Sequence, residues 1–115
     1  MNILVIGESC IDSFIYGIAN RLCPEAPVPV FTKKSIISNS GMASNVANNI
    51  RDLDAGLVVD VWTNENWENI TKSRFVDDRT NHMFLRVDNN DDTIENIELK
   101  SEDLEELSKY DAIII

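Results

Sequence analysis

R-L-C-P-E-A-P-V-P-V-F, Arg21 to Phe31, is followed a few residues later by S-G-M-A-S-N-V-A-N-N-I, Ser40 to Ile50. The chain's three prolines, Pro24, Pro27 and Pro29, all lie in the first stretch. Proline locks φ and has no N–H, so the three cannot all sit inside one ladder of a buried sheet. They suit an exposed edge strand or a stiff flap. The second stretch begins at a glycine, where backbone can approach a ligand closely, and runs into a helix rich in small residues.

Outward from these stretches the chain alternates strand and helix patterns. Ile3–Gly7 is continuously apolar, as in a strand buried on both faces of a parallel sheet. Asp12–Tyr16 and Val28–Ile37 read as extended segments. In Gly41–Leu53, Met42, Val46, Ile50 and Leu53 recur at helical spacing. Asn39 or Ser40 is a candidate cap and Gly56 a candidate terminator. Leu57–Trp62 is a further apolar strand. Thr71–Val76 and His82–Val87 read as strands joined in a hairpin through Asp77–Asn81.

Ser101–Tyr110 has a helix start, with Ser101 as cap, acidic residues in the first turn and an apolar face of Leu104 and Leu107. Asp111–Ile115 reads as a last strand, of the kind found in the middle of a sheet covered on both faces. No later residue of these 115 supplies that cover. The expectation is a piece of a longer protein, or a partner that supplies the missing layer. The predicted fold is α/β, a parallel sheet with helices plus a small β-sheet flap. The flap strands fall near 12–17, 28–37, 71–77 and 82–88, and the whole of 1–115 forms one unit.

Twenty acidic residues against ten basic ones give a formal charge of −10. That field repels phosphate backbones and anionic lipid, so nucleic acid and membrane surfaces are not expected partners. No apolar run approaches the roughly 20 residues that span a bilayer, and Met1–Gly7 lacks the basic leader of a secretion signal. Cys10 and Cys23 have neither metal-ligand spacing nor company, which points to free thiols in a reducing cytoplasm. A single histidine, His82, excludes histidine-pair metal sites. Asp88–Asp92 begins like a calcium loop, but Thr93 and Leu99 stand where that loop needs glycine and glutamate. No P-loop or dinucleotide fingerprint occurs.

The two opening stretches together resemble the amino-terminal signature of the PfkB-type (ribokinase-like) sugar kinases, above all the heptose-7-phosphate kinase part of the ADP-heptose synthases. In that family the first strand leads to an aspartate that binds sugar hydroxyls, matched here by Asp12 in G-E-S-C-I-D. A glycine-pair motif before A-x-N-x-A is matched by Ser40–Ala47. It implies backbone contact with the sugar at Gly41 and amide hydrogen bonds from Asn45, with Ser40 replacing the first glycine. Arg21–Val30 resembles the heptose-kinase flap, R-x-x-P-E-A-P-V-P-V. The resemblance implies that Arg21 and Glu25 contact substrate or fix the flap as an ion pair. Thr71–Arg74 and Arg86–Asp88 resemble later flap strands, with Lys72, Arg74 and Arg86 as cations that could face a phosphate or simply be solvated strand charges.

Two departures stand out. Between Trp62 and Ile70 the family inserts a helix and strand, and here there is a short polar connection. Nothing matches the family's G-A-G-D motif, whose aspartate is the general base and whose amides form the anion hole. The resemblance therefore implies a substrate-binding and lid portion without catalytic or metal residues of its own. ATP and Mg²⁺ are implied for the family, with their binding region outside this match. The implied partners are a phosphorylated sugar and a second copy, in a homodimer through the flap. The alternative is a shortened, non-catalytic binding or dimerisation module.

Overall fold

The computed structural model describes every residue, Met1–Ile115. Seven strands and two helices follow in the order β1 (Asn2–Ile6), β2 (Ser9–Leu22), β3 (Pro29–Met42), α1 (Ala43–Leu53), β4 (Val58–Trp62), β5 (Thr71–Asp77), β6 (Met83–Asn89), α2 (Asp103–Leu107) and β7 (Ala112–Ile114). They build two sheets. The first is parallel, in the order β4-β1-β7, and the second has the order β3-β2-β5-β6. The expected α/β architecture with a small second sheet is what the chain forms.

The parallel sheet holds the core. Ile3 and Val5 of β1 and Val59 of β4 pack against Ala43 and Ala47 of α1, so the small residues of the helix let its backbone lie close to the sheet. Leu4, in the middle of the central strand, is fully buried. The flap is different. Its strands β2 and β3 pair antiparallel from Ser9/Met42 to Leu22/Pro29, two irregularities along the way. At Gly17, just after the first of these, a Cβ would meet the Phe31 ring at 2.5 Å and the Thr32 carbonyl oxygen. A glycine is therefore needed there for close packing.

Strand β5 runs parallel to β2 and returns as β6. In the turn, Oδ2 of Asp77 accepts hydrogen bonds from the Thr80 amide and hydroxyl at 3.1 and 2.7 Å. Those bonds hold the Asp77 carboxyl below the usual aspartate range. The two-sheet shape is extended. The radius of gyration is 18.7 Å, against about 13 Å for a compact chain of this length. Only 16 of 115 residues are buried, so the flap has little core of its own.

The prolines behave as their chemistry requires. Pro24 and Pro27 lie in the turn before β3, and Pro29 opens that strand, an edge of the flap sheet. Several boundaries differ from the sequence expectations. The long helix starts at Ala43, because Gly41 and Met42 finish β3, and neither Asn39 nor Ser40 caps it. The residue before the helix is Met42 at φ 56°, a left-handed conformation that costs a non-glycine residue about 1–3 kcal/mol. Gly56 is not a left-handed terminator, since no glycine has positive φ. Its amide instead donates to Oδ1 of Asp54 at 2.8 Å.

The second helix shrinks to five residues, Asp103–Leu107, without a side-chain cap from Ser101, and Leu104 is exposed. So short a segment has no propagation to offset its nucleation. The final strand β7 lies at the sheet edge beside β1, and Ile113, Ile114 and Ile115 are exposed, without the cover that a strand of this kind calls for. His82 stands just before β6, outside the strand, and its ring packs edge-on against Phe84.

Candidate functional site

Alternate residues of a strand share a face, and the register of the flap collects the charged ones on one side. Cys10, Asp12, Phe14 and Tyr16 of β2 lie opposite Gly41, Asn39, Ile37 and Ser35 of β3. On the other flank Asp12 faces Lys72 and Phe14 faces Arg74 of β5. These in turn face Asp88 and Arg86 of β6. Two carboxylates, Asp12 and Asp88, and three cations thus share one face, with Asp91 just beyond the end of β6.

They meet as pairs. Arg74 donates through one guanidinium nitrogen to Oδ1 of Asp12 at 2.6 Å, and both side chains are about three-quarters buried. The Arg74 guanidinium also lies over the Phe14 ring, 5.1 Å from its centroid, an arrangement that favours the cation by the ring's quadrupole. Lys72 reaches Asp91 at 2.9 Å, and that bond raises its pKa above the ordinary lysine value. Arg86 grips Asp88 with two bonds of 2.7 and 2.8 Å. The fork–fork contact holds the Asp88 carboxyl below its usual range. Each cation that the sequence offered for a phosphate has a carboxylate partner within the chain.

Gly41 stands directly beside Asp12. A Cβ there would sit 2.7 Å from Oδ2 of Asp12 and 2.7 Å from the Cys10 sulfur. The glycine therefore makes room for the aspartate, not for a special backbone angle. Burial, and then the neighbouring Asp12 charge, push the Cys10 thiol up from its ordinary value, so it is a poor nucleophile.

The other expected residues are not drawn in to the same degree. Asn45 lies on the first turn of α1 and is exposed. Arg21 and Glu25 are exposed at the far end of β2 and in the proline turn, and neither is among the ion pairs of the chain. The structure therefore brings together Asp12, Gly41, Lys72 and Arg74, and leaves Arg21 and Glu25 apart from them.

One residue central to this region is missing from the sequence reading. Asn64, in the polar connection after β4, is fully buried. Its Oδ1 accepts the Ser9 amide at 2.8 Å, and Thr63 donates to the same oxygen. Ser9 in turn shares a 2.8 Å bond with Ser44, whose amide also reaches the Ser9 hydroxyl. These bonds tie the first residue of the flap to the core and to α1, next to Asp12. An asparagine in a polar stretch gives no pattern that distinguishes it from a solvated one.

Neither of two surface depressions takes in Asp12, Gly41 or Asn45. One, of about 590 Å³, lies between Trp62, Trp67 and the 95–100 stretch. The other, of about 530 Å³, lies against Ile11, Ser38, Asn39 and Ser40, and Asn39 is the cross-strand neighbour of Asp12. The residues present do not fit ATP with Mg²⁺. No three His, Cys, Asp or Glu side chains cluster as metal ligands. The first two amides of α1 are taken by the Glu8 carbonyl and the Ser9 hydroxyl rather than left for a phosphate.

No family model matches the chain. It is 41% identical over 80 residues, 65% of its length, to the bifunctional protein HldE of Helicobacter pylori strain Shi470. It is 44% identical over 54 residues, 47% of its length, to the bifunctional protein HldE of Acidiphilium cryptum strain JF-5. The aligned part is 17% and 11% of those proteins, so the chain spans a small part of the curated relatives that it matches. The crystal structure of a candidate ribokinase from Agrobacterium tumefaciens superposes with a TM-score of 0.54 at 17% identity, over 97% of this chain and 43% of that one. The chain is thus related in sequence to the amino-terminal portion of the HldE proteins, and its fold is ribokinase-like.

Proposed function

We propose that the chain is the sugar-binding and lid portion of a cytoplasmic carbohydrate kinase. Its substrate class is heptose 7-phosphate, and the reaction of the whole protein is ATP-dependent, Mg²⁺-assisted transfer of a phosphoryl group to the anomeric hydroxyl, on the route to ADP-heptose and lipopolysaccharide. One observation carries this reading. Asp12, held by Arg74 at 2.6 Å, keeps its second carboxylate oxygen beside a glycine that cannot obstruct it. A carboxylate in that position accepts sugar hydroxyls at a defined angle. Asn45, on the adjoining helix turn, supplies an exposed amide for further hydroxyls. Lys72 completes the polar face, and Arg21 and Glu25 belong to the outer flap, where they meet substrate only if the flap closes.

The test is a titration of heptose 7-phosphate into the wild-type chain and Asp12→Ala, by calorimetry or NMR. Losing one charged hydrogen-bond partner removes about 1.5–3 kcal/mol, roughly one to two decades in affinity. The variant is expected to keep its circular dichroism spectrum. Equal binding by the two proteins would place the sugar elsewhere.

Self-association through the flap belongs to the same reading. The flap exposes Ile36, Ile37, Met83, Phe84 and Leu85, and Phe31 bridges Phe75 and Phe84 with edge-on contacts of 5.5 and 5.9 Å. Exposed apolar sheet surface of this kind finds a partner. Pro29 at the start of the edge strand disfavours open strand addition and favours a closed pair. Sedimentation at micromolar concentration is expected to show a homodimer that Val30→Asp weakens. A monomer at all concentrations, or a dimer lost only when Ile113–Ile115 are trimmed, would refute it.

A further inference from the structure

We propose that Arg74 is a positioning residue for sugar binding: its one hydrogen bond to Asp12 fixes the carboxylate so that Oδ2 is presented to a sugar hydroxyl. This rests on the sugar-site reading above and names the residue through which that site acquires its geometry. The register makes the pairing unexpected. Directly across from Asp12 stands Lys72, and Arg74 is two residues further along β5. Diagonal neighbours on a sheet are farther apart than direct ones, and only a long side chain spans the gap. Asp12 nevertheless bonds to Arg74, because the competing charges are occupied elsewhere.

Lys72 is turned to Asp91 at 2.9 Å. Arg86, the like charge directly opposite Arg74, is gripped by Asp88 through two bonds. Arg74 is left with Asp12 as its single ionic partner and with the Phe14 ring beneath its guanidinium. Phe14 is itself stacked with Tyr16, centroids 6.5 Å apart. The guanidinium is thus fixed from two directions, and it fixes Asp12 in turn.

The contact is one-sided on the carboxylate. Oδ1 takes the Arg74 bond at 2.6 Å, whereas no protein donor reaches Oδ2. Oδ2 lies in the space that a Cβ on Gly41 would fill. Without the Arg74 bond the Asp12 side chain is free to rotate, and its acceptor no longer stays beside Gly41. A group that removes this freedom before the ligand arrives strengthens binding without touching the ligand.

The test is a double-mutant cycle read by NMR titration of the full chain with two probes, heptose 7-phosphate and unphosphorylated heptose. Arg74→Met keeps the stem over Phe14 and removes the donor. It is expected to weaken both probes about tenfold when Asp12 is present, and by less than about twofold in the Asp12→Asn background. Arg74→Lys, which retains one charged donor nitrogen, is expected to restore binding to within a few-fold of wild type, because a single nitrogen makes the contact. Amide spectra of each variant establish that the fold is kept.

Unchanged binding by a folded Arg74→Met would overturn the proposal, as would a tenfold loss that persists in full without Asp12. A loss confined to the phosphorylated probe would overturn it differently, by making Arg74 a direct phosphate contact. If Asp12→Asn alone binds both probes like wild type, or if wild type binds neither, the sugar-site reading fails and the positioning role with it.

Discussion

Incubated with ATP, Mg²⁺ and heptose 7-phosphate, the purified 115-residue chain is expected to release no ADP above a boiled control. The reason lies in the residues. Phosphoryl transfer is catalysed by positioning and by stabilising charge on the transferred group, with a base to take the hydroxyl proton. Nothing in these residues matches the G-A-G-D motif that supplies base and anion hole in the resembling family. The first amides of α1 are spent on Glu8 and Ser9, and no acidic cluster is placed for a metal ion. The proposed sugar site would bind and orient the acceptor, and orientation of the acceptor alone does not supply the base and charge stabilisation that phosphoryl transfer needs. Coupled-enzyme detection of ADP checks the result. Sustained turnover that is lost in Asp12→Asn would mean that this carboxylate acts as the base, and the assignment of the chain to binding alone would fall.

Truncation of Leu4 to alanine is expected to cost about 2–5 kcal/mol of stability. Leu4 is fully buried in the central strand of the parallel sheet, between Asp60 of β4 and Ile113 of β7 in register. With only 16 buried residues in the chain, no second core compensates for its loss. Urea denaturation followed by circular dichroism should show a lower midpoint at unchanged slope. Ile115→Ala, at a position 96% exposed, is the control and should stay within about 0.5 kcal/mol. Equal effects of the two substitutions would mean that the core described here does not carry the stability.

Much of the architecture was legible because it follows from local chemistry. The apolar run at Ile3–Gly7 reads as a buried strand, and β1 is the centre of the parallel sheet. Residues 71–76 and 82–87 declared a hairpin by alternation around a polar turn, and β5 and β6 pair as expected. Lengths were harder to read. β2 and β3 each run for 14 residues, where the pattern suggested five and ten, because mixed polar and apolar residues on a sheet with little cover leave almost no periodicity. Gly41 and Met42 finish a strand because pairing with Cys10 and Ser9 outweighs the helix pattern that begins at the same glycine. The region from Ser101 failed in the other direction: a good cap and acidic first turn do not make a long helix when its leucines find nothing to pack against.

Sequence by itself determined the chemical groups and the backbone rules: an aspartate after the first strand, a glycine before the helix, prolines confined to an edge, and an acid excess that repels polyanions. Those are properties of residues and short spacings, which no packing can alter. Tertiary structure alone decided the partners. That Arg74 takes Asp12, that Lys72 takes Asp91, that Gly41 is required by a side chain rather than by its own φ, and that Asn64 fastens the flap to the core all depend on contacts between residues 19 to 62 positions apart. The physical reason is that a salt bridge or a steric exclusion is fixed by distances of a few ångströms, and strand register, not sequence separation, sets those distances.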